Sequence, residues 1–192
     1  MTALVDNPWL ALVLWLAAYL ADYYLTLYSA RLYAAGAKNF IAIEGSYELT
    51  PYYQADIDAL RRVSPRFILA LLLSVLVIEL VWYLSMDVAG LPALFEFALG
   101  ALLLREAAVL LRHARNLALF RAATTTQGLQ GQLRYARWLS LRLSAVDLFS
   151  FAAFLAVLAP LTASWFVAGG ALSCAVTAFQ HWRRARSEGS RQ

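Results

Sequence analysis

Asp22 lies inside the apolar run from Trp9 to Ala30, a stretch that otherwise reads as a membrane-crossing helix. A carboxylate at the centre of such a helix costs about 2.5–3.5 kcal/mol on insertion scales, so it is expected to face a bundle interior or a wet cavity. Trp15, Tyr19, Asp22, Thr26, Ser29 and Tyr33 recur at alternating spacings of four and three, which places them in one stripe of a helix. The Tyr19 hydroxyl and Thr26 then sit about one turn either side of the carboxylate. Such a stripe suits a solvated track or ligand-binding face for a small ion or solute. It equally suits a helix interface, in which Tyr and Thr hydroxyls satisfy a buried acid that pairs with an arginine on a neighbouring helix.

Candidate partners lie further along the chain. Arg105 and Glu106 are adjacent and point roughly 100° apart on a helix, so they are expected to serve different neighbours. Glu106 shares its face with Leu110 and His113, and Arg105 shares one with Val109 and Arg112. Asp22 or Asp147 is the expected partner of Arg105. Ser140, Ser144, Asp147 and Phe151 form a second mildly polar stripe, and Arg142 is expected to snorkel outward. Asp22, Glu79, Glu96, Glu106 and Asp147 outnumber Arg105 and Arg142, so some of these acids lack a local cation. Burial disfavours an unpaired carboxylate's charged form, and proton coupling or cation passage follows from the imbalance.

The elements that must hold these groups are set by composition. The chain has 192 residues, 62% apolar residues and 14% aromatics, against about 45–50% apolar in soluble domains. Helical spans of roughly 20 residues leave room for short connections only. Breakers at Asn7-Pro8, Ser64-Pro65, Gly90, Pro92 and Pro160 bound five runs: 9–33, 65–84, 91–111, 138–159 and 162–182. The expected fold is therefore an all-α, polytopic transmembrane bundle in one domain, followed by a basic cytoplasmic tail over 183–192. Arg31, Lys38, Arg61, Arg62 and Arg66 flank the first connection, Arg112, Arg115, Arg121, Arg134 and Arg137 the third, and Arg183, Arg184, Arg186 and Arg191 the end. By the positive-inside rule the amino terminus lies outside and the carboxyl terminus in the cytoplasm. A four-span arrangement, with Trp138 to Trp182 as one re-entrant hairpin, reverses the side of the tail. The opening run lacks a basic n-region and is too long for a secretory signal, so it is expected to remain as the first span.

Formal charge +4 and the basic rim fit anionic lipid headgroups at the cytoplasmic face of the cell membrane. No nucleic-acid partner is expected, because the basic residues are spread over three membrane-proximal segments without a reading module. In the last span Gly169, Ser173 and Thr177 form one small-residue row and Gly170, Cys174 and Ala178 the next, a packing surface within the monomer or between protomers of a homo-oligomer. With one cysteine, no internal disulfide forms.

The first connection holds Thr50-Pro51, a helix start with Thr as N-cap, and predicts an amphipathic cytoplasmic helix to about Val63 with Tyr53, Ile57 and Leu60 on one side. The segment from Arg112 to Arg137 reads as an amphipathic basic connector broken at Gln127-Gly128 and Gln130-Gly131. Glu44, Glu48, Asp56 and Asp58 concentrate acids near the cytoplasmic mouth, where a divalent cation or plain capping and solvation accounts for them. The Asp22-x3-Thr26 and Glu48-x2-Pro51 strings resemble small prokaryotic multi-helix membrane proteins, themselves uncharacterised, over the first third of the chain; the resemblance implies a related fold and no activity.

Hydrolase elbows, metalloprotease His pairs and phosphate loops are absent from the sequence, and no cofactor is expected. His113 and His181 are far apart in sequence. An Asp22–Asp147 dyad could in principle cut a peptide within the membrane, but no flanking sequence favours it. The expected activity is permeation or transport of a small ion or solute, with Asp22, Tyr19 and Thr26 on the pathway and Arg105, Glu106 and Asp147 behind them. The alternative is a non-catalytic membrane scaffold or partner subunit whose buried charges fix helix register.

Overall fold

A computed structural model describes residues 2–125 and 131–190. Its helices are α1 (Thr2–Asp6), α2 (Pro8–Ala35), α3 (Pro51–Asp58), α4 (Pro65–Tyr83), α5 (Pro92–Thr125), α6 (Arg137–Thr162) and α7 (Trp165–Gly189); a π-helical turn, Leu84–Val88, continues α4. Pro8, Pro51, Pro65 and Pro92 open helices because a missing N–H costs nothing at the first helical position. Ser64 and Ser164 cap α4 and α7 by accepting the amides of Phe67 at 3.2 Å and Val167 at 3.3 Å. Thr50 occupies the N-cap position of α3, but it is the Thr50 amide that is bonded, donating to Glu48 Oε1 at 2.6 Å.

Three helices, α2, α4 with its π turn, and α6, are long and apolar enough to cross a membrane. Composition does not assign α5 and α7 in the same way, since α5 carries Glu96, Arg105 and Glu106 in its first half and α7 ends in Gln180, His181 and three arginines. Both run further than expected. α5 continues past Leu111 to Thr125 because Phe120 and Ala123 bury themselves against Ala37 and Ile41, and α7 continues through Arg183, Arg184 and Arg186 with Ala185 buried. Pro160 neither ends nor replaces a turn of α6, which stops only when Ala163 adopts φ +46. α3 is shorter than expected because Leu60 turns left-handed at φ +51.

One element was not anticipated in an all-α chain. Strands β1 (Ile41–Ile43) and β2 (Leu133–Tyr135) pair in parallel, Ile41 opposite Leu133 and Ile43 opposite Tyr135. Runs of three residues are too short to display an alternating pattern. Gln127, Gly128 and Gln130 lie outside the described residues.

α6 and α7 form a hairpin, α7 packs on α5, α5 on α2, and α4 lies along α2 with Leu69, Leu72, Leu73, Leu76 and Leu80 exposed. The small residues of α7 meet α5 of the same chain. A Cβ on Gly100 would fall 1.8 Å from the Phe166 carbonyl oxygen, and one on Gly169 would fall 1.9 Å from that of Phe97. Only glycine allows this backbone approach.

The ends of the helices sort by charge. Strand pairing joins the first and third connections, Tyr23 Oη donates to the Arg61 carbonyl at 2.9 Å, and Arg137 Nε lies 3.4 Å from Glu188 Oε1. The C-terminal ends of α2, α5 and α7 and the N-terminal ends of α4 and α6 therefore share one basic end. At the opposite end Trp82 Nε1 donates to the Val5 carbonyl at 3.1 Å, and Val5, Ala11, Leu12, Trp15, Ile78, Phe95 and Leu99 form an apolar core.

Candidate functional site

The α2 stripe faces protein along its length. Trp15, Thr26 and Ser29 are buried, and each remaining position meets a different element. Trp15 Nε1 donates to Ser74 Oγ of α4 at 2.7 Å, and the Tyr19 and Tyr53 hydroxyls, the latter from α3, lie 2.6 Å apart. Near the far end, Tyr33 Oη accepts the Ile43 amide of β1 at 2.9 Å. The stripe thus joins α2 to α3, α4 and β1.

Asp22 occupies the middle of that seam. Its Oδ1 is 3.0 Å from His113 Nε2 on α5, without an in-line hydrogen bond, and Thr26 Oγ1 is 3.2 Å from the same nitrogen. The partner of Asp22 is a histidine, not Arg105. Nor does Arg105 reach Asp147: its Nη2 sits 3.1 Å from Oε2 of the adjacent Glu106. The 100° divergence of neighbouring residues holds at the backbone; a long arginine side chain folds back across it. Glu106 is 4% exposed and so has its charge answered beside it. Asp147 of α6 is held by Arg115, with Nη1 at 3.2 Å from Oδ1 and Nη2 at 2.9 Å from Oδ2. Asp22 and Asp147 consequently have separate partners and do not form a dyad.

Arg112 donates to Ser144 Oγ, which is 2.9 Å from His181 Nδ1. The two histidines therefore join different networks. Arg142 lies over Trp182 and Trp138 at 4.8 and 5.6 Å, an exposed cation–π stack at the basic end. The acids of the first connection are engaged locally: Asp56 accepts from Arg61 at 3.1 Å and Ser64 at 2.6 Å, and Asp58 accepts from Ser46 at 2.7 Å. Glu44 is exposed, and no group of three potential metal ligands occurs among the described residues.

Two cavities flank the Asp22–His113 contact. The larger, about 280 Å³, lies between β1, the following loop, α5 and α6; the smaller, about 30 Å³, lies between α2, α3 and α4. His113, Arg112 and Asn116 line the first, Asp22, Tyr19 and Thr26 the second, and Glu48 lines both. The smaller is about the volume of one water molecule. Burial pushes the Glu48 carboxyl above its ordinary range, and the nearby Asp22 carboxylate adds to this against the pull of the Thr50 amide. Glu48 and His113 were the residues that spacing did not single out as pathway groups, because they meet Asp22 only through long-range packing.

No protein-family model, no curated protein and no solved structure matches this chain.

Proposed function

We propose that the chain is a multi-pass membrane protein that carries a small ion or solute through its helix bundle, with the Asp22–His113 couple as the group that binds and releases a proton. The observation that carries this reading is the placement of the couple between two cavities that share Glu48 as a wall. A carboxylate 3.0 Å from an imidazole can exchange a proton with it, and Glu48 extends the set toward the larger cavity.

In this reading all five long helices cross the membrane, with the basic end in the cytoplasm. α5 and α7 are carried across despite their charge because each is packed between neighbours through the Gly100, Gly169 and Gly170 contacts. Asp22 then lies 14 residues from Pro8, about 21 Å along the helix and so in the cytoplasmic half of a core about 30 Å thick. The apolar cluster around Trp15, Phe95 and Leu99 closes the outer half. In this reading the larger cavity lies on the cytoplasmic side of that closure.

A membrane scaffold is the second reading, favoured by the pairing of Asp147 with Arg115 and of Glu106 with Arg105. Asp22→Asn separates the two. In proteoliposomes driven by a potassium diffusion potential, with an internal pH dye, the transport reading predicts proton flux that falls tenfold or more in Asp22→Asn while the variant elutes as the wild type. Flux equal in wild type and Asp22→Asn removes Asp22 from the pathway.

A further inference from the structure

The larger cavity is built for more than water. Arg112 is half-buried in its wall, and among the described residues no carboxylate lies within ion-pair distance of it; its one bonded partner there is the neutral Ser144 hydroxyl. Asp147, the nearest acid on α6, is already neutralised by both nitrogens of Arg115. Ile41, Leu119, Phe120, Leu143 and Tyr135 supply apolar and aromatic lining beside the polar Glu48, Asn116 and Ser140.

From this we infer that the cavity binds a small organic monoanion, a carboxylate on an apolar body, with the carboxylate on Arg112 and the body against Phe120, Leu143 and Tyr135. A guanidinium recognises a carboxylate through paired N–H donors. The volume, near the lower end of the range of about 300–1,000 Å³ for ligand pockets, sets the body at roughly one ring or a short branched chain. Glu48 is the one acid in the wall not held by a cation, and in its protonated form it does not oppose the ligand. As a binding site this stands on its own geometry; as a substrate site it rests on the transport reading.

Benzoate is the probe. Calorimetric titration of the protein in phosphatidylcholine nanodiscs is expected to show benzoate binding, and benzamide, which keeps the ring but lacks the charge, binding at least tenfold more weakly. Arg112→Gln weakens benzoate tenfold or more, and Arg186→Gln, outside the cavity, leaves it unchanged. Arg112→Lys, which keeps the charge and loses the fork, recovers part of the affinity and guards against misfolding of the glutamine variant. Competition by added phosphatidylglycerol supports the same anion site and assigns its occupant to the bilayer; indifference to that lipid supports it and assigns the occupant to water. Equal affinity for benzoate and benzamide, or benzoate binding unaffected by Arg112→Gln, overturns the proposal. Binding without proton flux keeps the site and removes transport, whereas flux in a protein that does not bind benzoate removes the site and keeps transport.

Discussion

Glu48 carries the clearest pH signature. Burial raises its carboxyl in the folded protein, so the folded state holds this proton more tightly than the unfolded chain does. The stabilisation is fully present below the unfolded value, about 4.3, and is lost as pH rises through the raised folded value. Glu48→Gln keeps an acceptor for the Thr50 amide and removes the titration. The melting temperature of the variant, measured in detergent from pH 4 upward, should therefore gain on that of the wild type as pH rises and then level off. A difference that is flat with pH means Glu48 titrates normally. The stripe Trp15, Tyr19, Asp22, Thr26, Ser29 and Tyr33 was legible in the sequence because helical spacing is local, and the structure turns that stripe toward protein. Its partners were not legible: His113 lies 91 residues from Asp22, and nothing in the spacing of α5 distinguishes a histidine aimed at α2 from one at a membrane boundary.

Among the elements, α5 and α7 are locked at their crossing. Gly100 and Gly169 each leave room for a carbonyl oxygen where a side chain would stand, so Gly169→Val must push the backbones apart. Overpacking of this kind costs about 1–3 kcal/mol or more, and a fall in melting temperature of about 5 °C or more is expected. Leu172→Ala, one turn on and exposed, should shift it little. Similar melting temperatures for the two variants would mean that the crossing is loose. Helix starts at Pro8, Pro51, Pro65 and Pro92 could be read from the sequence because proline and its preceding cap act locally. The far ends of α5 and α7 could not, since Phe120, Ala123 and Ala185 hold them by contacts with distant residues. The β1–β2 pair was hidden for the same reason: three residues on each side gain their meaning from pairing across the fold.

For the molecule as a whole, the up-and-down order gathers the basic residues at one end and leaves a polar cavity there, with an apolar core at the other end. The topology is tested with single cysteines in a Cys174→Ala background. In right-side-out vesicles an impermeant maleimide should label Asp87→Cys and spare Ser46→Cys and Ser187→Cys until the membrane is opened; labelling of Ser187→Cys alone with Asp87→Cys would fit a four-span chain instead. Membrane helices were readable as runs, whereas the cavity was not, because it is enclosed by β1, α5 and α6 from three separate stretches of chain. Passage through this bundle is the claim on which the rest depends. Its most direct measurement is the rate of proton entry into liposomes carrying the wild-type protein under an imposed potential, set against protein-free liposomes and liposomes carrying Asp22→Asn. Entry at least tenfold faster with the wild type than with either control is expected; equal rates in all three would rule out passage through the bundle.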